Sequence, residues 1–277
     1  MSADASMLQE WLTFALRIAR QGGDRAHAAQ RTFADADADS QIQTKSSIRD
    51  VVTELDQQVE AELTREIRRC FPEHGIYGEE TGRHQADREY CWVIDPIDGT
   101  ASYIHQQPTY TLSLALQWRG QSIIGVVYAP VLGEMYQACQ GGGAFCNDRR
   151  IRVTRHARLE EAMVSTGFSC LRAGWKSNHN LPYFNAIAPL ARSVRRFGSA
   201  ALDLCYVASG REDAFWELNL EPYDYAAGIL LVREAGGLCT DLHGGGQIAT
   251  QGLLATNGAL HQRMLTFFEG YQRPANA

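Results

Sequence analysis

Apolar side chains recur at helical spacing near the start of the chain, where Leu8, Trp11, Leu12, Ala15, Leu16, Ile18 and Ala19 form one stripe. The spacing predicts an amphipathic helix over residues 7–21 that ends at Gly22 and Gly23, since paired glycines disfavour continuation. A second stripe of Val51, Val52, Leu55, Val59, Leu63 and Ile67 predicts a helix from Asp50 to the Phe71-Pro72 pair. Beyond it the apolar runs shorten. Residues 91–95, CWVID, read as a short buried strand that Pro96 stops. Residues 110–118 and 122–130 read as a hairpin turning at Arg119-Gly120-Gln121, with further strands at 134–138, 143–146, 163–166, 193–197 and 253–256. Helical spacing returns at 199–208, closed by Gly210, at 223–235, closed by Gly236 and Gly237, and at 260–271.

Hairpins interleaved with helices predict a layered α/β architecture, and no repeat or low-complexity linker divides it. At about 150 residues per domain, 277 residues make two domains or one large unit. The expectation is a single unit, residues 1–277, with intimately joined halves of about 1–150 and 151–277. The segment FADADADSQ carries alternating Asp35, Asp37 and Asp39, as a calcium loop does. With Asp35 at position 1, however, the loop would need Gly and Glu where the chain has Ser40 and Ser46, so it reads as a solvated connection.

Composition narrows the class. The chain is 45% hydrophobic and 21% charged, as folded proteins are, and holds no run of the ~18 apolar residues that span a membrane. The N-terminus lacks a basic segment followed by an apolar one, so no secretory signal is expected and the chain reads as cytoplasmic. The net charge of -6 gives no support to a nucleic-acid or anionic-membrane surface. The seven cysteines are scattered without a C-x-x-C pair and read as reduced, mostly buried thiols.

The acidic residues matter by placement. In WVIDPIDGTASYIH, residues 92–105, Asp95 and Asp98 leave a buried strand and are followed by a turn at Gly99-Thr100. Two carboxylates at a strand end can converge on a hard cation, and the free N–H groups of Gly99, Thr100 and Ala101 suit a phosphate. Either Asp alone is equally a helix cap. Glu79 and Glu80 follow Gly78, Asp56 lies on the second predicted helix, and Glu217 and Asp224 flank the start of an apolar helix. Taken singly, the paired glutamates read as solvated surface and Asp224 as a helix N-cap.

Together, DVVTELD (50–56), GEET (78–81), DPIDGTASYIH (95–105), GSAALDLCYVASGREDAFWE (198–217) and EPYDYAAG (221–228) closely resemble the inositol monophosphatase family, in family order from about residue 8 to residue 265. The resemblance implies a five-layer αβαβα sandwich, a lithium-sensitive, Mg²⁺-dependent phosphomonoesterase, and a homodimer. It implies that Glu79, Asp95 and the Ile97 carbonyl hold one Mg²⁺, that Asp95, Asp98 and Asp224 hold a second, and that Glu79 helps a looser third with Lys45 nearby. Thr100 and Asp56, with Glu79, would orient and activate the attacking water. Gly99, Thr100 and Ala101 would bind the phosphate, Ala200 and Glu217 would line the alcohol side, and Asp98 and Asp224 are further substrate-binding positions. The chain departs from the family at Tyr223, where Trp is usual, and at Ser102-Tyr103, where Asn-Phe is usual; residues 166–180 do not align. His105 reads as structural. The expected substrate is inositol monophosphate or a similar polyol or sugar phosphate, with 3'-phosphoadenosine 5'-phosphate and fructose 1,6-bisphosphate as alternatives. A regulatory protein that binds a partner on the same fold is the alternative from another class.

Overall fold

The computed structural model describes residues 4–32, 42–44, 51–172, 174 and 179–270. In chain order its elements are α1 (Ala5–Thr32), β1 (Ile42–Thr44), β2 (Val51–Thr53), α2 (Glu54–Cys70), β3 (Gly75–Gly78), β4 (Gly82–His84), β5 (Tyr90–Asp98), α3 (Thr100–Ile104), β6 (Thr111–Trp118), β7 (Gln121–Ala129), β8 (Glu134–Cys139), β9 (Gly143–Cys146) and β10 (Arg149–Arg150), followed by β11 (Met163–Thr166), α4 (Ser169–Arg172), α5 (Leu181–Ile187), β12 (Ser193–Arg195), α6 (Ala200–Ala208), β13 (Ala214–Glu217), α7 (Pro222–Glu234), β14 (Leu238–Thr240), α8 (Ile248–Gln251), β15 (Leu253–Thr256) and α9 (His261–Gly270).

Period-two alternation along the strands builds the layers. On β5, Trp92 and Ile94 face a core with Trp11, Ile18, Val59 and Leu63 of α1 and α2. Val93 points the other way, toward Leu204 of α6 and Ala227 and Leu231 of α7. The strand is therefore buried on both sides. It sits inside an eight-stranded sheet of order β10-β9-β8-β7-β6-β5-β3-β4, while a five-stranded sheet of order β12-β11-β13-β15-β14 closes the other side of α6 and α7. Ile187 of α5 and Met264 and Phe268 of α9 cover the outer face of that second sheet with Trp216 and Leu254. Helices, sheet, helices, sheet, helices is the five-layer sandwich that the sequence implies.

Three boundaries differ from the sequence reading. The first helix runs through Gly22 and Gly23 to Thr32. A methyl group at Gly22 would lie 2.7 Å from Leu112 Cδ1, and one at Gly23 would meet the Tyr128 ring, so these glycines let α1 press onto the sheet and do not end it. The second helix starts at Glu54 because Val51–Thr53 pair with Ile42–Thr44 as strands, in keeping with two adjacent β-branched valines. Pro96 does not stop β5, which continues to Asp98 through an irregularity. The segment with Asp35, Asp37, Asp39 and Lys45 lies outside the described residues.

The middle layer leaves no room at Gly125 of β7, where a Cβ would fall 2.8 Å from the Ala227 carbonyl oxygen of α7. Backbone cannot yield as a side-chain tip can. Gly125→Ala is expected to cost about 1–3 kcal/mol as α7 is pushed from the sheet, read as a lower urea midpoint at unchanged slope.

Candidate active site

Residues three apart on a strand point to opposite faces, which would separate Asp95 from Asp98. The pairing of β5 with β6 removes that separation. Asp95 pairs with Ser113 and Asp98 with Thr111, so three steps along β5 match two along β6. The extra residue is a bulge, and it turns both carboxylates toward one point. Asp224 arrives from the first turn of α7, where Glu221 is the N-cap and the Glu221 N–H donates to Asp224 Oδ2 at 2.7 Å. Asp224 is thus the third residue of the helix, not its cap. Carboxylate oxygens of Asp95, Asp98 and Asp224 lie within 4.8 Å of one another.

Elements on both sides support this point. Asp98 Oδ2 accepts the Ser199 hydroxyl at 2.6 Å and the Ala201 N–H at 2.7 Å, both at the positive end of α6. Asp95 is 1% exposed, and among the described residues its Oδ1 has no hydrogen-bond partner. Glu79 follows β3, whose parallel pairing sets Gly78 beside Ile94, and its N–H donates to the Ile94 carbonyl at 3.1 Å. Asp56, 1% exposed, comes from the first turn of α2. Burial, then the charges of Glu79, Asp98, Asp224 and Asp56, hold the Asp95 carboxyl well above the usual carboxylate range. Burial and the charge of Asp98 do the same to Asp224. Asp98 is pushed up to about 7 by burial, against the lowering effect of its Ser199 and Ala201 hydrogen bonds.

The turn after β5 requires glycine. Gly99 has φ of 97°, and a Cβ there would lie 3.0 Å from the Thr109 carbonyl oxygen and 3.2 Å from that of Gly198. It opens α3, whose first N–H groups lack intrahelical partners. Thr100 donates its hydroxyl to the Ile97 carbonyl at 3.3 Å, and Ala101 is exposed. His105 is only the C-cap of α3. A cavity of about 90 Å³ leads away from the acidic cluster, lined by Asp98, Gly167, Ala200, Asp203, Glu217 and Asp224. Glu217, at the end of β13, accepts the Ser169 N–H at 3.1 Å and the Ser169 hydroxyl at 2.7 Å.

A family model, described as the inositol monophosphatase family, matches residues 7–273. The chain belongs to this family. It is accordingly a phosphoric monoester hydrolase. An inositol-1-monophosphatase of Synechocystis sp. is 39% identical over 265 residues, which are 94% of this chain and 88% of that protein. A protein of Pseudomonas aeruginosa named Nus factor SuhB is 38% identical over 274 residues, 97% of this chain and 99% of its own. The solved inositol monophosphatase of Anabaena (Nostoc) sp. superposes with a TM-score of 0.85 at 35% identity, covering 97% of this chain and 98% of its own. Among the described residues no helix is long and apolar enough to cross a membrane.

The family motifs left three supporting groups unassigned. Glu60 of α2 is fully buried and accepts the Glu80 and Thr81 N–H groups, each at 2.8 Å, which pins the loop that presents Glu79. A charged residue inside the apolar stripe, next to Val59, is the signal for it. Ser199 caps α6 and reaches Asp98. Asp203 lines the cavity beside Glu217, and its place within an apolar helix is a comparable signal.

Proposed function

We propose that this chain hydrolyses inositol monophosphate or a similar polyol or sugar phosphate with two or three Mg²⁺ ions. The observation that carries the proposal is the meeting of three carboxylates, Asp95 and Asp98 buried and Asp224 half-buried, at one end of a small cavity whose other wall is Glu217. The donor set suits a hard cation: oxygen ligands only, with a buried Asp95 oxygen that has no hydrogen-bond partner among the described residues. Asp95 would bridge two ions, one shared with Glu79 and the Ile97 carbonyl, the other with Asp98 and Asp224. When bound, Mg²⁺ supplies positive charge against the phosphate dianion and acidifies water.

The remaining roles belong to the chain. The Thr100 hydroxyl and Asp56, with Glu79, would orient and activate the attacking water, with a carboxylate accepting its proton. The N–H groups of Gly99, Thr100 and Ala101 hold the phosphate oxygens. Ala200 and Glu217 face the departing alcohol, and the Glu217 carboxylate accepts hydrogen bonds from ring hydroxyls. Tyr223 keeps an aromatic wall: its ring packs edge-on against Tyr77 at 5.7 Å. We place the protein in the cytoplasm as a homodimer.

The test is phosphate release from inositol monophosphate, 3'-phosphoadenosine 5'-phosphate and fructose 1,6-bisphosphate at equal concentration, with Mg²⁺, after chelation, and with added lithium. The expected result is the highest kcat/KM for inositol monophosphate, loss of release on chelation, and inhibition by lithium. Metal-independent release, or a preference for the nucleotide, overturns the proposal.

The name of the Pseudomonas aeruginosa relative, Nus factor SuhB, favours a second reading, in which the same fold engages a partner of the transcription machinery. Capture of that machinery by both the wild-type chain and Asp95→Asn supports a role independent of chemistry; capture by neither removes it.

A further inference from the structure

Helix α7 also lines a second cavity. Pro222, Tyr225, Ile229 and Arg233 recur along it at three- and four-residue spacing, which places them on one face of the helix. That face lines a cavity of about 530 Å³, bounded as well by Tyr77 of β3, Arg83 of β4 and the β6–β7 turn at Gly120. The volume is that of a small-molecule site, about 300–1,000 Å³. Arg233 stands nine residues after Asp224, about 13 Å along the helix axis, so this end of the cavity is well removed from the acidic cluster.

The chain has 32 acidic and 26 basic residues, yet the charged side chains that line this cavity are both arginines. Among the described residues neither Arg83 nor Arg233 forms an ion pair. Other cavities hold their own counter-ions: Arg211 meets Glu134 at 2.5 Å, and Arg17 meets Glu66 at 3.2 Å. Arg83 is exposed, but its guanidinium lies 4.5 Å from the centre of the Tyr77 ring, a cation–π contact that holds the charge against the cavity wall. Tyr77 is itself anchored at the start of α7, where its hydroxyl donates to Glu221 Oε2 at 3.2 Å and its ring packs edge-on against Tyr223. Arg233 is exposed in the last turn of the same helix. The two cations therefore stand toward opposite ends of one helix face.

We propose that this cavity binds an elongated small molecule with two separated anionic groups, one held by Arg83 and the other by Arg233. A guanidinium offers parallel N–H donors that match a carboxylate or a phosphate, so each arginine can hold one group bidentately. Two linked anions are favoured over a single one, because the second contact forms within a molecule already bound. The site uses none of the residues assigned to catalysis and is independent of the polyol phosphatase reading.

Titration calorimetry of the full chain in EDTA at low salt tests the inference, since without Mg²⁺ the acidic cluster repels anions. The probes are fructose 1,6-bisphosphate, adipate and inorganic phosphate. The expected result is one-to-one binding of the bisphosphate or of adipate, at least roughly tenfold tighter than inorganic phosphate; whichever of the two binds tighter identifies phosphoryl or carboxylate groups as the ligand. Arg83→Gln and Arg233→Gln are each expected to weaken that probe roughly tenfold, the loss of one charged contact. Arg149→Gln makes the same change of net charge at the opposite edge of the eight-stranded sheet and is expected to leave binding unchanged. Thermal melts of the three variants, all at exposed positions, verify that the fold is kept. Binding of neither two-anion probe overturns the inference, as do inorganic phosphate binding equally well, undiminished binding in the Arg83 and Arg233 variants, and equal weakening by all three substitutions.

Discussion

Asp95→Asn is expected to lower Mg²⁺-dependent phosphate release by at least roughly a thousandfold, about 4 kcal/mol of barrier, while raising the melting temperature of the metal-free protein above pH 7. Both effects have one cause. Asp95 is 1% exposed, with Glu79, Asp98, Asp224 and Asp56 around it and no donor on Oδ1 among the described residues. An oxygen so placed is costly to ionise without a cation and is the shared ligand when cations are present. An amide of the same shape removes a negative charge from a cluster of like charges, so the empty fold relaxes. It also removes the ligand that the proposed ions share, so catalysis fails. Phosphate release and a thermal melt on the same preparation check the pair of outcomes. A variant that keeps more than a tenth of wild-type activity refutes the metal assignment, whatever its stability.

Mg²⁺ is expected to raise the melting temperature strongly at pH 8 and weakly at pH 5. In the metal-free fold Asp95 and Asp224 are held well above the carboxylate range and Asp98 at about 7. An acid with a raised folded pKa keeps its proton in the fold where the unfolded chain has released it. The fold therefore binds more protons than the unfolded chain between about pH 4, where free Asp titrates, and the folded values. Stability from this source is complete below that window and is lost as pH rises through about 7. Bound Mg²⁺ reverses the trend, because it takes the ionised carboxylates that the empty fold disfavours; in acid, protons compete for the same oxygens. At a metal concentration near a hundred times its dissociation constant the gain is ~2.7 kcal/mol, or roughly 5–10 °C for a chain of this size. Thermal melts at pH 5 and pH 8, with and without millimolar Mg²⁺, check it. Equal metal shifts at the two pH values would remove the carboxylate cluster as the binding site.

Part of this site is legible along the chain and part is not. Asp95, Asp98, Glu79 and Asp224 stand in short motifs whose order alone marks the family. The strands 143–146, 163–166 and 253–256 emerge with the ends expected from short apolar runs set off by neighbouring polar and glycine positions, which are local properties of the chain. The element β13, buried at all four positions and carrying Glu217, is not anticipated along the chain. The run through Gly22 and Gly23 misleads for a related reason. Glycine ends helices in isolation, but here the space it leaves is filled by Leu112 and Tyr128, which lie far along the chain. Asp203 and Glu212 lie within the 198–217 motif, but only the fold shows that Asp203 lines the cavity and that Glu212 accepts the Ser165 hydroxyl.

The sequence by itself determined the family, the kinds of elements and the identity of the acidic residues, since these rest on local periodicity and on short ordered motifs. The tertiary structure alone decided how those residues meet. A bulge in β5 turns Asp95 and Asp98 to one side, the capping turn of α7 brings Asp224 to them, and Ser199 reaches Asp98 across 101 positions of chain. Whether a carboxylate binds a cation, a proton or a sugar hydroxyl depends on its neighbours and its distance from water. Those are set by packing between layers, which no window along the chain contains.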